Sequence, residues 1–231
     1  MRCVTRSLFA VLLASTALAA QAPGSAPLIL PAVAAAKLDE SLKAASAHDE
    51  HFWRDAPPLI DGLVNAYIEV PIGARDKKEF DMSRNTLGLD RVIAENIGGY
   101  PVNYGFVPQT VSYDGDPVDV LVLGPALSAG EVVRGVIVGF MLMEDEKGLD
   151  SKVVISRVDD DGKPRHELTA ADQTRIAEYF NKYKADDDDD KTWAKVPGWS
   201  TAQDGYSYVT VTHTFFQLCR NREGAACDLA R

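Results

Sequence analysis

From Asn65 onward, the apolar residues of this 231-residue chain arrive in segments cut apart by Gly, Pro and Asp, at 66–70, 86–89, 119–123, 132–143 and 152–155. Several such segments with turn signals between them suit a small antiparallel barrel better than a helical bundle. A helical period follows over 170–184, where Ile176, Tyr179, Phe180 and Tyr183 share a face. The expected class is therefore α+β, mainly β, with helices packed on a barrel. An Ala-rich stretch at 31–47, with Leu38, Leu42 and Ala45 at helical spacing, predicts a short helix on the domain surface. Residues 206–218 satisfy neither period cleanly, so no element is assigned to them.

Within that pattern stands Asp114-Gly115-Asp116-Pro117-Val118-Asp119, three carboxylates in six residues running into the apolar segment Val120–Leu123. Carboxylates this close repel one another unless a cation neutralises them. Gly115 and Pro117 make a turn that aims successive side chains inward, and the strand after Asp119 would hold them rigid. A calcium loop fails on spacing. An EF-hand needs Gly sixth and Glu twelfth, where counting from Asp114 finds Asp119 and Pro125. A site for a hard divalent metal is the reading that remains beside a solvated turn.

A hydrophobic content of 46% over 231 residues is enough to bury a full core in one domain with appendages. The formal charge of −10 argues against nucleic acid and anionic membrane as partners. At the N-terminus, Arg2 and Arg6 precede an apolar run at 7–19 with small residues at Ala17 and Ala19, the pattern of a secretory signal. The run is too short for a stable membrane anchor. Cleavage near Ala19 would leave an extension at 20–56 and a main domain at 57–231, exported to a periplasmic or external compartment. It would also remove Cys3, so that Cys219 and Cys227 form an even pair expected to close a disulfide there. His48 and His51, three apart in a polar segment, read as solvated surface rather than a metal pair. The run Asp186-Asp187-Asp188-Asp189-Asp190 reads as a hydrated, mobile loop.

A second acidic cluster, Glu144 to Lys152, sits between two apolar runs as a hairpin loop would, and could bring Asp145 and Asp150 beside Asp119. Glu69 precedes Pro71 at a strand end. Cations and phenols lie among the same segments: Lys77 near Glu79, Arg91 after Asp90, Tyr104, Lys152, and Tyr183-Lys184. Acids and cations together make sense for a polyphosphate with bound Mg²⁺, whose metals face the acids while its free oxygens face Lys, Arg and Tyr.

These motifs together resemble the family I soluble inorganic pyrophosphatases. The resemblance rests on Ile68-Glu69-Val70-Pro71, Lys77-Lys78-Glu79, Asp90-Arg91, Tyr100-Pro101-Val102-Asn103-Tyr104-Gly105-Phe106, the turn at 114–120, the loop at 145–152, Tyr183-Lys184, and Trp193 with Val196-Pro197-Gly198-Trp199. It implies a five-stranded OB-like barrel that hydrolyses pyrophosphate with several Mg²⁺ ions, Mn²⁺ or Zn²⁺ being possible substitutes. By the resemblance, Asp114, Asp119 and Asp150 hold the two metals flanking the attacking water. Asp145 and Glu69 help bind those arriving with substrate. Asp116 matches the general base and Glu79 an acid behind the metals, while Lys77, Arg91, Tyr104, Lys152, Tyr183 and Lys184 match phosphate contacts. A homo-oligomer is implied too, although Glu178 and Lys182 stand where some hexameric members carry His. Two rival readings are a broader metal phosphohydrolase and an exported OB-like binding module without catalysis.

Overall fold

The computed structural model describes residues 30–185 and 192–221. Helix α1 (Ala32–Ala45) and the single turn α2 (Phe52–Asp55) precede strands β1 (Leu59–Ile60), β2 (Leu63–Val70), β3 (Asp76–Asp81), β4 (Thr86–Val92), β5 (Asn103–Phe106) and β6 (Asp119–Leu123). The long β7 (Val132–Asp145), β8 (Gly148–Leu149) and β9 (Lys152–Ser156) follow, then α3 (Ala170–Phe180), β10 (Ala194–Ser200) and α4 (Ala202–Arg220).

Strand β2 is hydrogen-bonded to β5 on one side and β7 on the other, β5 to β6, β6 to β9, and β9 back to β7. The pairings therefore run in a circuit of five strands, the OB-like arrangement expected. One expectation needs correction: the circuit is not wholly antiparallel, because β6 and β9 run parallel, with Val120 opposite Val153. The reason lies in the connections. Strand β7 runs opposite to β9. Because β9 folds back from β7 and slots between it and β6, it runs in β6's direction. Strands β3 and β4 form a separate hairpin in which Lys77 lies opposite Arg91.

Alternating side chains of the strands feed two different cores. Val120, Val122, Val153 and Ile155 join a cluster with Val64, Ile68 and Val209 of α4. Leu121, Leu123 and Val154 join a second, completed by Ile176, Tyr179 and Phe180 of α3. Residues 120–123 and 153–155 are apolar throughout because both faces are covered. A third cluster holds Leu38 of α1 against Trp53, Phe80, Phe106, Phe215 and Phe216. Leu38 and Trp53 are essentially fully buried, each such side chain contributing roughly 1.5–3 kcal/mol. The helix expected at 31–47 is therefore fastened by one face to the body of the protein.

Residues 206–218, unassigned from sequence, belong to α4. Its start is fixed by a reciprocal cap in which Thr201 accepts the Asp204 N–H and Asp204 accepts the Thr201 N–H. His51 also departs from expectation. It is buried, capping α2 by accepting the Arg54 N–H at Nδ1, with Nε2 3.0 Å from the Met82 carbonyl. A polar stretch concealed its burial, which comes from the Phe80 and Trp53 rings packed against the imidazole. The Asp186–Asp190 run, the apolar segment at 7–19 and Cys227 lie outside the described residues. Among the described residues no helix is long and apolar enough to cross a membrane.

Candidate active site

The acidic turn is built by its own backbone. Asp114 Oδ1 accepts the Asp116 N–H at 3.0 Å, Ser112 N–H donates to the Asp116 carbonyl at 2.6 Å, and Gly115 adopts φ +88°. That φ is in the left-handed region which glycine enters without steric cost. The turn delivers Asp119 to the first position of β6, where the next four residues are buried and hold it.

A cavity of about 480 Å³ opens over this turn. From β2 comes Glu69, from the β3–β4 hairpin come Lys77, Glu79 and Arg91, and from β5 comes Tyr104. Asp114, Asp116 and Asp119 form one wall, Asp145 and Asp150 flank the β8 hairpin, and Tyr183 and Lys184 follow α3. Lys152, the remaining phosphate contact singled out from sequence, lies fully buried on β9. Its Nζ is 2.5 Å from Asp119 Oδ2 and 2.9 Å from Asp150 Oδ1.

Three lysines of the site, Lys152 among them, are each shared between two acids. Lys77 bonds Glu79 and lies 2.7 Å from Asp90 Oδ2. Lys184 lies 2.8 Å from both Asp145 Oδ2 and Glu146 Oε1. Arg91 lies over the Tyr183 ring, 5.5 Å from its centroid. Partial loss of hydration inside the cavity, added to by the negative charge of Asp114, pushes the half-exposed Asp116 carboxyl up to about 6. Burial likewise lifts Asp150 to about 7, although Lys152 opposes it. Glu69 is raised well above the usual carboxylate range by burial, even though it accepts the Phe80 N–H at 2.7 Å. Lys152 is held above its ordinary value because Asp119 and Asp150 outweigh its own burial.

Of the described residues, nine acids line the cavity against four lysines and one arginine, an excess of negative charge that favours a bound cation. Among the described residues no Cys or His lines the cavity, and its candidate metal donors are carboxylate oxygens, the chemistry preferred by Mg²⁺ and similar hard cations. Among the described residues no three acids are already drawn around one point. Lys152 stands between Asp119 and Asp150, and Lys184 between Asp145 and Glu146.

A family model described as inorganic pyrophosphatase matches residues 66–217. The chain belongs to the inorganic pyrophosphatase family. An inorganic pyrophosphatase of Thermus thermophilus is 41% identical over 143 residues, 59% of this chain and 81% of that protein. Another, of Saccharolobus solfataricus, is 35% identical over 149 residues, 60% and 83% of the two chains. The crystal structure of inorganic pyrophosphatase from Thermus thermophilus superposes with a TM-score of 0.65 at 33% identity, covering 71% of this chain and 98% of that one. Pyrophosphatase-family likeness thus spans the elements from β2 to α4 that carry most of the cavity wall.

Sequence reasoning assigned no role to Glu146, Asp90 or Lys37, which also line the cavity of this pyrophosphatase-family chain. Glu146 and Asp90 lay within the quoted motifs, beside residues singled out. Lys37 sits on α1, ahead of the family match, and nothing in its neighbourhood marked it.

Proposed function

We propose that this chain hydrolyses inorganic pyrophosphate to two orthophosphates. The observation that carries the reading is the convergence, in one cavity of a pyrophosphatase-family chain, of five candidate metal-binding acids with Lys77, Arg91, Tyr104, Tyr183 and Lys184. Divalent ions, Mg²⁺ foremost and Mn²⁺ or Zn²⁺ as substitutes, would be held by Asp114, Asp119 and Asp150 with Asp145 and Glu69, and when bound would neutralise phosphate charge and acidify water.

The chain's own residues do the rest. Asp116 accepts the proton of the attacking water, whose oxygen bonds to one phosphorus while the bridging P–O bond breaks toward the other phosphate. Lys77, Arg91 and Lys184 pair with substrate oxygens, and the Tyr104 and Tyr183 hydroxyls donate to them. Burial raises both phenols, so they stay protonated donors. Lys152 anchors Asp119 and Asp150 from behind the cavity wall, where its charge would add to the positive potential felt by a bound phosphate. Glu79, bonded to Lys77, sets where that ammonium points. The substrate would arrive as its metal complex, which reconciles a polyanionic ligand with a chain of net charge −10.

Phosphate release from pyrophosphate by the purified chain, with Mg²⁺ and with chelator, tests this beside an Asp116→Asn control. Rapid Mg²⁺-dependent release that the control abolishes is expected. No release from folded, metal-loaded protein would favour the binding-module reading, and ATP hydrolysis at a comparable rate would favour the broader phosphohydrolase.

Arg2 and Arg6 before the apolar run at 7–19 support export of the chain. In that compartment Cys219, buried near the end of α4, would pair with Cys227. A fusion retained in the cytoplasm, or a mature chain whose mass is unchanged by reduction, would sink these two readings. Assembly as a homo-oligomer is proposed from the family resemblance, and light scattering tests it.

A further inference from the structure

We infer that Lys37, on the N-terminal helix α1, is a positioning residue for Asp116, an inference that rests on the function just proposed. Its Nζ lies 2.6 Å from Asp116 Oδ1. Both side chains are nearly half exposed, at 43% and 48%, and an exposed pair of this kind adds little to stability. What the pair does supply is direction. The Asp116 backbone is fixed by the Asp114 carboxylate and the Ser112 amide, so the remaining freedom is the rotation of its carboxylate. Three other lysines at the site are committed elsewhere: Lys77 to Glu79 and Asp90, Lys152 to Asp119 and Asp150, Lys184 to Asp145 and Glu146. Asp116 falls to Lys37.

The helix that carries Lys37 is itself seated on the turn. A Cβ placed on Gly115 would lie 2.9 Å from Lys37 Cβ, 3.0 Å from Lys37 Cδ and 3.1 Å from Ala34 Cα. Backbone and stem therefore touch, and the absence of a side chain at 115 permits the approach. From the other side Ala34, Ala35 and Leu38 are buried in the cluster formed with Phe215, Phe216 and Phe106. Because α1 is held at both its Gly115 and its α4 contacts, the lysine stem has a fixed origin, and one oxygen of Asp116 is turned toward it. The other oxygen is left to accept the proton of the attacking water. Since the family match begins at residue 66, this contact is made by a part of the chain outside the shared region.

The test is Lys37→Met, which keeps the stem over Gly115 and removes the charge, beside Lys37→Arg and the control Lys43→Met on the exposed side of the same helix. Misaiming a reacting group by an ångström costs up to about a hundredfold in rate. For Lys37→Met, kcat on Mg-pyrophosphate is expected to fall about tenfold, with KM within about twofold and an unchanged melting temperature. Lys37→Arg should recover most of the loss and Lys43→Met should match the parent. Unchanged kcat overturns the inference, and so does a raised KM with kcat retained, which would make Lys37 a phosphate contact. Crystal structures of parent and Lys37→Met read the Asp116 carboxylate directly, and the same rotamer in both would also overturn it. A parent chain without turnover would sink the proposed function, while the two crystal structures would still decide the role of Lys37.

Discussion

Lys152 Nζ lies 2.5 Å from Asp119 Oδ2 in a site where the lysine has 1% of its side chain exposed and the aspartate 18%. Removing one partner of a buried pair strands the other, at a cost of about 3–5 kcal/mol. Lys152→Met is thus expected to lose about 3 kcal/mol in urea unfolding without metal, since Asp150 is stranded as well. A loss under about 1 kcal/mol would mean that water already reaches both acids.

Asp116→Asn should leave divalent-ion binding close to that of the parent, because the amide keeps the shape of the carboxylate. Turnover should drop by about 10²–10⁴, the range a general base supplies. Stopped-flow phosphate release and calorimetric Mg²⁺ titration separate the two effects; unchanged kcat would take Asp116 out of the reaction.

Divalent ions that bind only the folded chain must raise its stability, by about 2.7 kcal/mol at a hundred times the dissociation constant. Saturating Mg²⁺ should therefore shift the urea midpoint upward and chelator should reverse it. Asp119→Ala should reduce the shift, and an equal shift in both proteins would remove Asp119 from the ligand set.

His51 links stability to pH. Burial holds its pKa below the ordinary 6.5, so between the two values the unfolded chain binds more protons than the folded one. Stability contributed by the neutral ring is complete above 6.5 and falls as the pH drops toward the lowered value. A proton added at Nδ1 would face the Arg54 N–H that this nitrogen accepts. Unfolding free energies from pH 7.5 to 5 should therefore fall more steeply for the parent than for His51→Gln, which cannot titrate. Parallel curves would mean that the ring stays solvated.

What could be read without coordinates was what neighbours in sequence determine together. The acids at 114–119 share one turn, and Ile68, Glu69 and Val70 share one strand, so residue type and spacing located them. Strand β3 was harder, since Asp76-Lys77-Lys78-Glu79-Phe80-Asp81 buries only Phe80 and draws its order from pairing with β4. Helix α4 was obscured by Val209-Thr210-Val211-Thr212, β-branched residues that favour strands. Tertiary burial of Val209, Thr212, Phe215 and Phe216 overrides that preference. Thr201 three residues before Asp204 was the local signal that could have found it. Lys37 and His51 owe their surroundings to Asp116 and Met82, partners distant in sequence, and no local pattern encodes such a meeting.

The five-strand circuit also sets an order of events in time. Its last link joins β2 to β7, Val64 pairing with Gly135, two segments separated by a long stretch of chain. Contacts between such distant segments form slowly, because the loop entropy is lost before the pairing rewards it. Glu69 and Asp145 sit on the two strands that this link unites, so its closure completes that part of the cavity wall. A refolding chain should regain its fluorescence and its helices before it regains turnover, the last step being the one that makes it an enzyme.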